Sequence, residues 1–229
     1  LILTQPLLNA LVWLYNVIPG QDVGLAIVAL TLLIRIILIP AFQKSLRSQK
    51  ELQHLQPQLE EIRRKHKDDK EAQTKATLEL YKQHKINPFS SCLPLLIQLP
   101  ILIALYQVFL SGLHNKVAGS LYPFISDPGK IQTSFLGLVD LAQPNLYFGI
   151  AAGLLQFVQS KMMTPKKKPG VVADKTQSIM NAQLLYMMPV ITVIIAIRLP
   201  AGLAVYWVVT TLFAIGQQYY IMRKDKKNA

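Results

Sequence analysis

Acidic side chains are scarce in this chain of 229 residues, and where they are missing matters more than how few there are. Asp and Glu number 12 against 24 Lys and Arg, a formal net charge of +12, and none of the 12 falls inside a long apolar run. A proton or cation pump ordinarily needs a carboxylate at membrane depth, so the absence argues against that class. Cys92 is the single cysteine, which excludes an intramolecular disulfide and any Cys/His zinc spacing. All four histidines, His54, His66, His84 and His114, stand outside the apolar runs. No Walker A loop, HExxH or GxSxG occurs, so nucleotide hydrolysis, zinc proteolysis and serine hydrolysis have no motif to rest on. The chain is therefore read as no enzyme, with no cofactor and no metal.

What is present is a chain 52% hydrophobic, with a mean hydropathy of +0.32 and a pI near 9.8. Those values coexist because charge and apolar surface are segregated: apolar runs alternate with Lys/Arg-rich segments, the pattern of a chain whose solvent alternates between lipid and water. The basic residues flank apolar spans, so anionic lipid headgroups and the positive-inside bias account for them before DNA does. The chain starts at Leu1 rather than methionine, which leads us to expect an upstream signal, anchor or domain.

A bilayer core about 30 Å thick needs roughly 20 apolar residues in a helix. Segments 23–42, 89–111, 146–162, 184–199 and 201–221 suit, the last two split by the breaker Leu199-Pro200-Ala201-Gly202. Ahead of them, residues 1–20 carry Leu7, Leu8, Leu11, Val12 and Tyr15 at helical spacing and read as an amphipathic helix on the outer membrane surface. Residues 43–88 form a charged cytoplasmic helical hairpin, in which Pro57 kinks the first arm or marks a fresh start. Residues 112–145 are an external connection, 163–183 a basic loop and 222–229 a basic tail. Of the 24 Lys and Arg, residues 43–91 hold 11, 161–183 hold five and 222–229 hold four. Only a five-span chain with its amino terminus outside puts all three basic segments in the cytoplasm.

Arg35, in Thr31-Leu-Leu-Ile-Arg35-Ile-Ile-Leu-Ile-Pro40, is the informative residue. An ionised side chain inside a span costs about 2.5–3.5 kcal/mol on insertion scales. With no acid in the spans to offset it, two readings remain: snorkelling to the cytoplasmic headgroups, or a water-containing cavity open to the cytoplasm. Polar residues in the other spans favour the cavity. Thr31 is one turn from Arg35, Gln98 stands between Pro94 and Pro100, Gln156 and Gln159 lie on the third span, and Trp207, Thr210, Thr211 and Gln218 recur near one face of the fifth. Each alone could simply bond a neighbouring helix. Pro94, Pro100 and Pro189 free backbone carbonyls that water could satisfy. The expected fold is thus an all-α polytopic membrane protein, five transmembrane helices around a hydrophilic groove with a cytoplasmic helical hairpin.

The ordered motifs are Gly24-Leu-Ala-Ile-Val with Thr31-Leu-Leu-Ile-Arg35 and Pro40, Gln56-Pro57, Asn87-Pro88-Phe89 leading to Cys92-Leu-Pro-Leu-Leu-Ile-Gln98-Leu-Pro100-Ile-Leu-Ile-Ala-Leu-Tyr106, and Pro200-Ala-Gly-Leu203-Ala-Val-Tyr206-Trp207 followed by Gln217-Gln218. Across essentially the whole chain they resemble the YidC/Oxa1/Alb3 membrane protein insertases. The resemblance implies a bacterial inner-membrane protein whose groove, lined by Arg35, Thr31, Gln98, Gln156, Tyr206, Trp207, Thr210 and Thr211, receives the polar segment of a client membrane protein while the client's apolar helix passes into lipid. It also implies contacts of hairpin, loop and tail with the ribosome, the signal-recognition receptor or the Sec translocon. The tail is short, residues 223–229, and Arg198 stands where relatives usually carry an apolar residue. The competing classes are a small anion channel or carrier using Arg35, for which internal symmetry is missing, and a structural assembly factor that docks subunits through its hairpin.

Overall fold

Asp22 supplies the cap that an apolar segment lacks. Its carboxylate accepts from the Leu25 amide at 2.9 Å and starts a helix that runs from Val23 to Ile37 (α2), preceded by α1 at Thr4–Val17. In this computed structural model residues 3–87, 90, 93–112, 121–164 and 182–227 are described. Cys92, Pro88-Phe89, residues 113–120 of the external connection, most of the basic loop (165–181) and the last two residues of the tail lie outside the described residues.

α2 stops five residues before its apolar run does. Pro40 has no amide for the Ile36 carbonyl, so the chain breaks at Leu38 and restarts as α3, Ile39–His54, with the proline in its first turn, at 65° to α2. A second restart occurs at Pro57, in the first turn of α4, Gln56–Lys65. α5, Lys70–Gln83, is capped by Asp69, which accepts from the Glu71 and Ala72 amides, and it folds back on α4 around a small core of Leu55, Leu59 and Leu80.

α6, Leu93–Gly112, continues through Pro100. Then come a two-stranded antiparallel hairpin, β1 Ser134–Phe135 with β2 Val139–Asp140, and α7, Leu146–Met163, capped by Asn145. A π-helical turn, Gln183–Met187, opens the next element and leads into α8, Met188–Ala196, where Pro189 has no amide to close an ordinary helical turn. The chain breaks over residues 197–200, the last two being Leu199 and Pro200 of the expected breaker, and α9, Ala201–Lys227, follows. Among the described residues no single helix is long and apolar enough to cross a membrane, and the bent pair α2 and α3 meets that requirement only together.

The core lies where α1, α2, α6 and α9 meet. Leu8, Leu11, Val12 and Tyr15 of α1 are buried with Ala26, Ile27 and Leu30 of α2, Leu105 and Val108 of α6, and Leu203, Val205 and Tyr206 of α9. The apolar stripe of α1, expected to lie against a membrane surface, therefore points into the bundle, and the residues it leaves outside are Trp13 and Val17. α7 packs on α8 and α9. At the α7–α8 contact a Cβ on Gly153 would come within 2.2 Å of Val193 Cγ2 and 3.1 Å of the Pro189 carbonyl oxygen, an approach that only glycine permits. Gly153→Ala should consequently lower stability by about 1–3 kcal/mol, with Val193→Ala restoring part of it, as read by thermal unfolding in detergent. An unchanged midpoint for Gly153→Ala would show that the two helices are free to separate.

Candidate functional site

Arg35 lies in the last turn of α2 and is 5% exposed. Its side chain turns into the bundle, where Nη2 donates to Gln98 Oε1 of α6 at 3.1 Å, and Gln98 Nε2 in turn donates to the Tyr206 hydroxyl of α9. One amide thus joins three helices. Because its oxygen faces the guanidinium and its nitrogen faces the phenol, its orientation is fixed at both ends.

The flat face of the guanidinium is covered as well. Arg35 Cζ stands 4.3 Å from the centroid of the Phe42 ring. Phe42 is seven residues on, two helical turns, and belongs to α3 beyond the bend. A helical side chain leans toward its own amino terminus, so Phe42 reaches back toward Arg35. The quadrupole of a buried ring attracts a cation with about 0.5–2 kcal/mol. Among the described residues no carboxylate pairs with Arg35, and its bond to Gln98 leaves other guanidinium N–H groups able to donate.

The remaining residues named from the sequence divide by what their polar atoms do. Thr31 is buried, one turn before Arg35, but its hydroxyl donates to the Ile27 carbonyl at 2.6 Å, and the Thr211 hydroxyl donates to the Trp207 carbonyl at 2.9 Å. These donors are spent on their own helices, leaving only lone pairs to offer. Thr210 is buried next to the Tyr206 phenol, and two turns further along α9 the buried Gln218 Oε1 has no hydrogen-bond partner among the described residues. Trp207 is half-buried on α9, and Gln156 is half-buried on α7 outside the hydrogen-bonded chain of Arg35, Gln98 and Tyr206.

Phe42 did not emerge from the sequence as part of this site, although its seven-residue spacing from Arg35 was visible. The anchors between α1 and residues 122–132 were equally missed. Asn9 Oδ1 accepts from the Tyr122 amide at 2.6 Å, the Tyr15 hydroxyl accepts from the Gln132 amide at 3.1 Å, and Asn16 Nδ2 donates to the Ser126 carbonyl at 2.8 Å. Three polar residues of a short apolar helix thereby hold the external connection. Among the described residues no group of three or more His, Cys, Asp or Glu gathers in a position to hold a metal ion.

A mostly helical chain whose buried cation has no acid beside it among the described residues is consistent with an all-α membrane protein family. The sequence pattern of the family described as "60Kd inner membrane protein" matches residues 13–228, and the chain belongs to that family, that of the YidC-type insertases. It is similar to the membrane protein insertase YidC of Fusobacterium nucleatum, 36% identical over 201 residues, covering 88% of this chain and 86% of the relative. The YidC of Clostridium tetani is 36% identical over 211 residues, covering 92% and 86%. The YidC of Syntrophus aciditrophicus is 38% identical over 224 residues, which is 97% of this chain and 36% of that longer relative.

Replacing Gln98 by Leu removes both of its bonds and leaves a guanidinium and a phenol facing an apolar group. Buried donors left unmatched cost about 1–3 kcal/mol. Gln98→Leu is expected to lose that much in detergent unfolding, and Gln98→Leu combined with Arg35→Met to recover much of it. Additive losses in the double variant would mean that Arg35 and Gln98 do not interact.

Proposed function

We propose that this protein inserts client proteins into the bacterial inner membrane. In this reading segments 23–42, 89–111, 146–162, 184–199 and 201–221 span the bilayer, the amino terminus lies outside, and the basic hairpin, loop and tail lie in the cytoplasm. A hydrophilic groove open to the cytoplasm and closed outside holds Arg35, with Thr31, Gln98, Gln156, Tyr206, Trp207, Thr210 and Thr211 along it. The relatives named as insertases support the activity. The observation that carries the groove is a buried guanidinium held by an amide and an aromatic face, with donors left over and no acid beside it.

The physics of such a site is economical. A polar tail that enters a groove crosses a shorter stretch of lipid, and each remaining ångström of hydrocarbon avoided lowers its barrier. Arg35 attracts acidic residues in that tail through a medium of low dielectric. Burial of the client's apolar helix supplies about 0.8 kcal/mol per CH₂ of driving force. A potential negative inside adds about 2.3 kcal/mol per acidic charge moved outward at 100 mV. No nucleotide is needed. The hairpin, the loop and the tail are placed to meet a ribosome, the signal-recognition receptor or the Sec translocon.

Two measurements test this. Arg35→Ala should slow insertion of a client with a two-acid tail by about tenfold, equivalent to about 1.4 kcal/mol, and that of the uncharged counterpart by less than twofold. Equal loss for both tails removes attraction as the mechanism. Separately, Gln98→Cys or Thr211→Cys in a Cys92→Ser background should react with a water-soluble maleimide from the cytoplasmic side only, and a stalled client should block the reaction. Absence of labelling would describe a dry bundle, and labelling from both sides an anion channel.

A further inference from the structure

The external connection carries its apolar residues on the outside. In residues 121–147 only Asp127, Lys130 and Asp140 are charged, while Phe124 is 80% exposed, Leu136 60%, Leu138 84% and Tyr147 82%. Leu136 and Leu138 form the tip of the β1–β2 hairpin. The Leu138 amide donates to the Phe135 carbonyl at 3.0 Å, and Leu136 and Gly137 both have positive φ, +54° and +70°. That is the pattern of a type I′ turn, whose first central position ordinarily takes Asn, Asp or Gly. A leucine there strains its own backbone and, in water, exposes a butyl group as well.

The hairpin is not a loose flap. Phe135 sits so closely on Gly24 of α2 that a Cβ there would lie 2.1 Å from the ring, and its ring centroid is 6.3 Å from that of Phe148 on α7. The Leu136 amide is held by the Asp22 carboxylate at the start of α2. Just beyond β2, the Leu141 and Gln143 carbonyls accept from Gly202 and Ala201 at the start of α9, at 3.1 and 2.9 Å. These contacts place the tip level with the ends of α2, α7 and α9 that face away from the basic connections. Tyr147, Ile150, Leu154 and Val158 continue an exposed apolar stripe from there down α7.

We infer that the β1–β2 hairpin is a membrane anchor, with Leu136 and Leu138 seated in the headgroup and upper acyl region of the outer leaflet. The occupant is lipid because the tip is continuous with the apolar stripe of α7, is nearly uncharged, and is held rigidly at the depth where those helices leave the bilayer. The inference rests on the spanning arrangement proposed above. A fixed anchor here holds the outer ends of α2, α7 and α9 at constant depth while the cytoplasmic side opens.

The test uses the full chain with Cys92→Ser and a single cysteine at 138, labelled with an environment-sensitive nitrobenzoxadiazole. The protein is reconstituted in phosphatidylethanolamine/phosphatidylglycerol vesicles that carry spin-labelled lipids quenching at shallow or deep positions. Labels at Leu154→Cys and Lys130→Cys serve as references. The label at 138 should be quenched more by the shallow lipid than by the deep one, and aqueous iodide should quench it at least threefold less than the label at 130. The label at 154 should respond most to the deep lipid. Iodide quenching at 138 equal to that at 130, with 154 still deep, overturns the anchor and leaves the spans standing. Loss of lipid quenching at 154 overturns the spanning arrangement and the anchor with it. Leu136→Asn relieves the turn, so its folding is not in question, and it should raise iodide access at 138.

Discussion

A cation without an acid is the constraint around which the rest of this structure is arranged. Arg35 is buried, and among the described residues no carboxylate pairs with it. An ion pair would have neutralised it and removed its capacity to attract. Instead Gln98 provides a neutral dipole and Phe42 a π face, two partners that stabilise the guanidinium while preserving its charge.

The bend at Leu38 connects this site to the basic helical hairpin. Pro40 ends α2, and α3 leaves at 65° carrying Phe42 under Arg35 and, further on, the Leu55, Leu59 and Leu80 hairpin. Gln53, next to the end of α3, donates to the Met163 carbonyl at the end of α7. One helix thus touches the cation at one end and the hairpin and α7 at the other. A bend is the place where such a helix can tilt at low cost, since the hydrogen bond that Pro40 cannot make is already absent.

The end of the bundle away from the basic hairpin is built on the opposite principle. Asn9, Tyr15, Asn16 and Asp22 each bind backbone groups of the external connection, and the amides at the start of α9 do the same. Backbone groups of an irregular segment have no helix to satisfy them, so side chains and helix ends take that role. The result is a polar clasp over an apolar core, tight where the half nearer the basic hairpin is bent and, among the described residues, leaves the Gln218 Oε1 unmatched.

What the sequence determined by itself was everything that depends on the solvent and on local backbone rules. Apolar runs separated by basic segments pointed to helices, Pro57 and Leu199-Pro200 stand where one helix gives way to the next, and an acid-free Arg35 led to the expectation of a polar site. Periodicity found the α1 stripe correctly but not its partner, because a helix pattern says which face is apolar and not whether protein or lipid covers it. Only the tertiary structure decided that Gln98 and Tyr206 close on Arg35, that Phe42 returns from beyond a proline bend, and that Thr31 and Thr211 turn their hydroxyls to their own helices. The hydroxyls of Thr31 and Thr211 settle on carbonyls four residues back and Phe42 returns across one bend, but the closure of Gln98 and Tyr206 on Arg35 depends on how helices distant in the chain approach one another, which no local run of residues encodes.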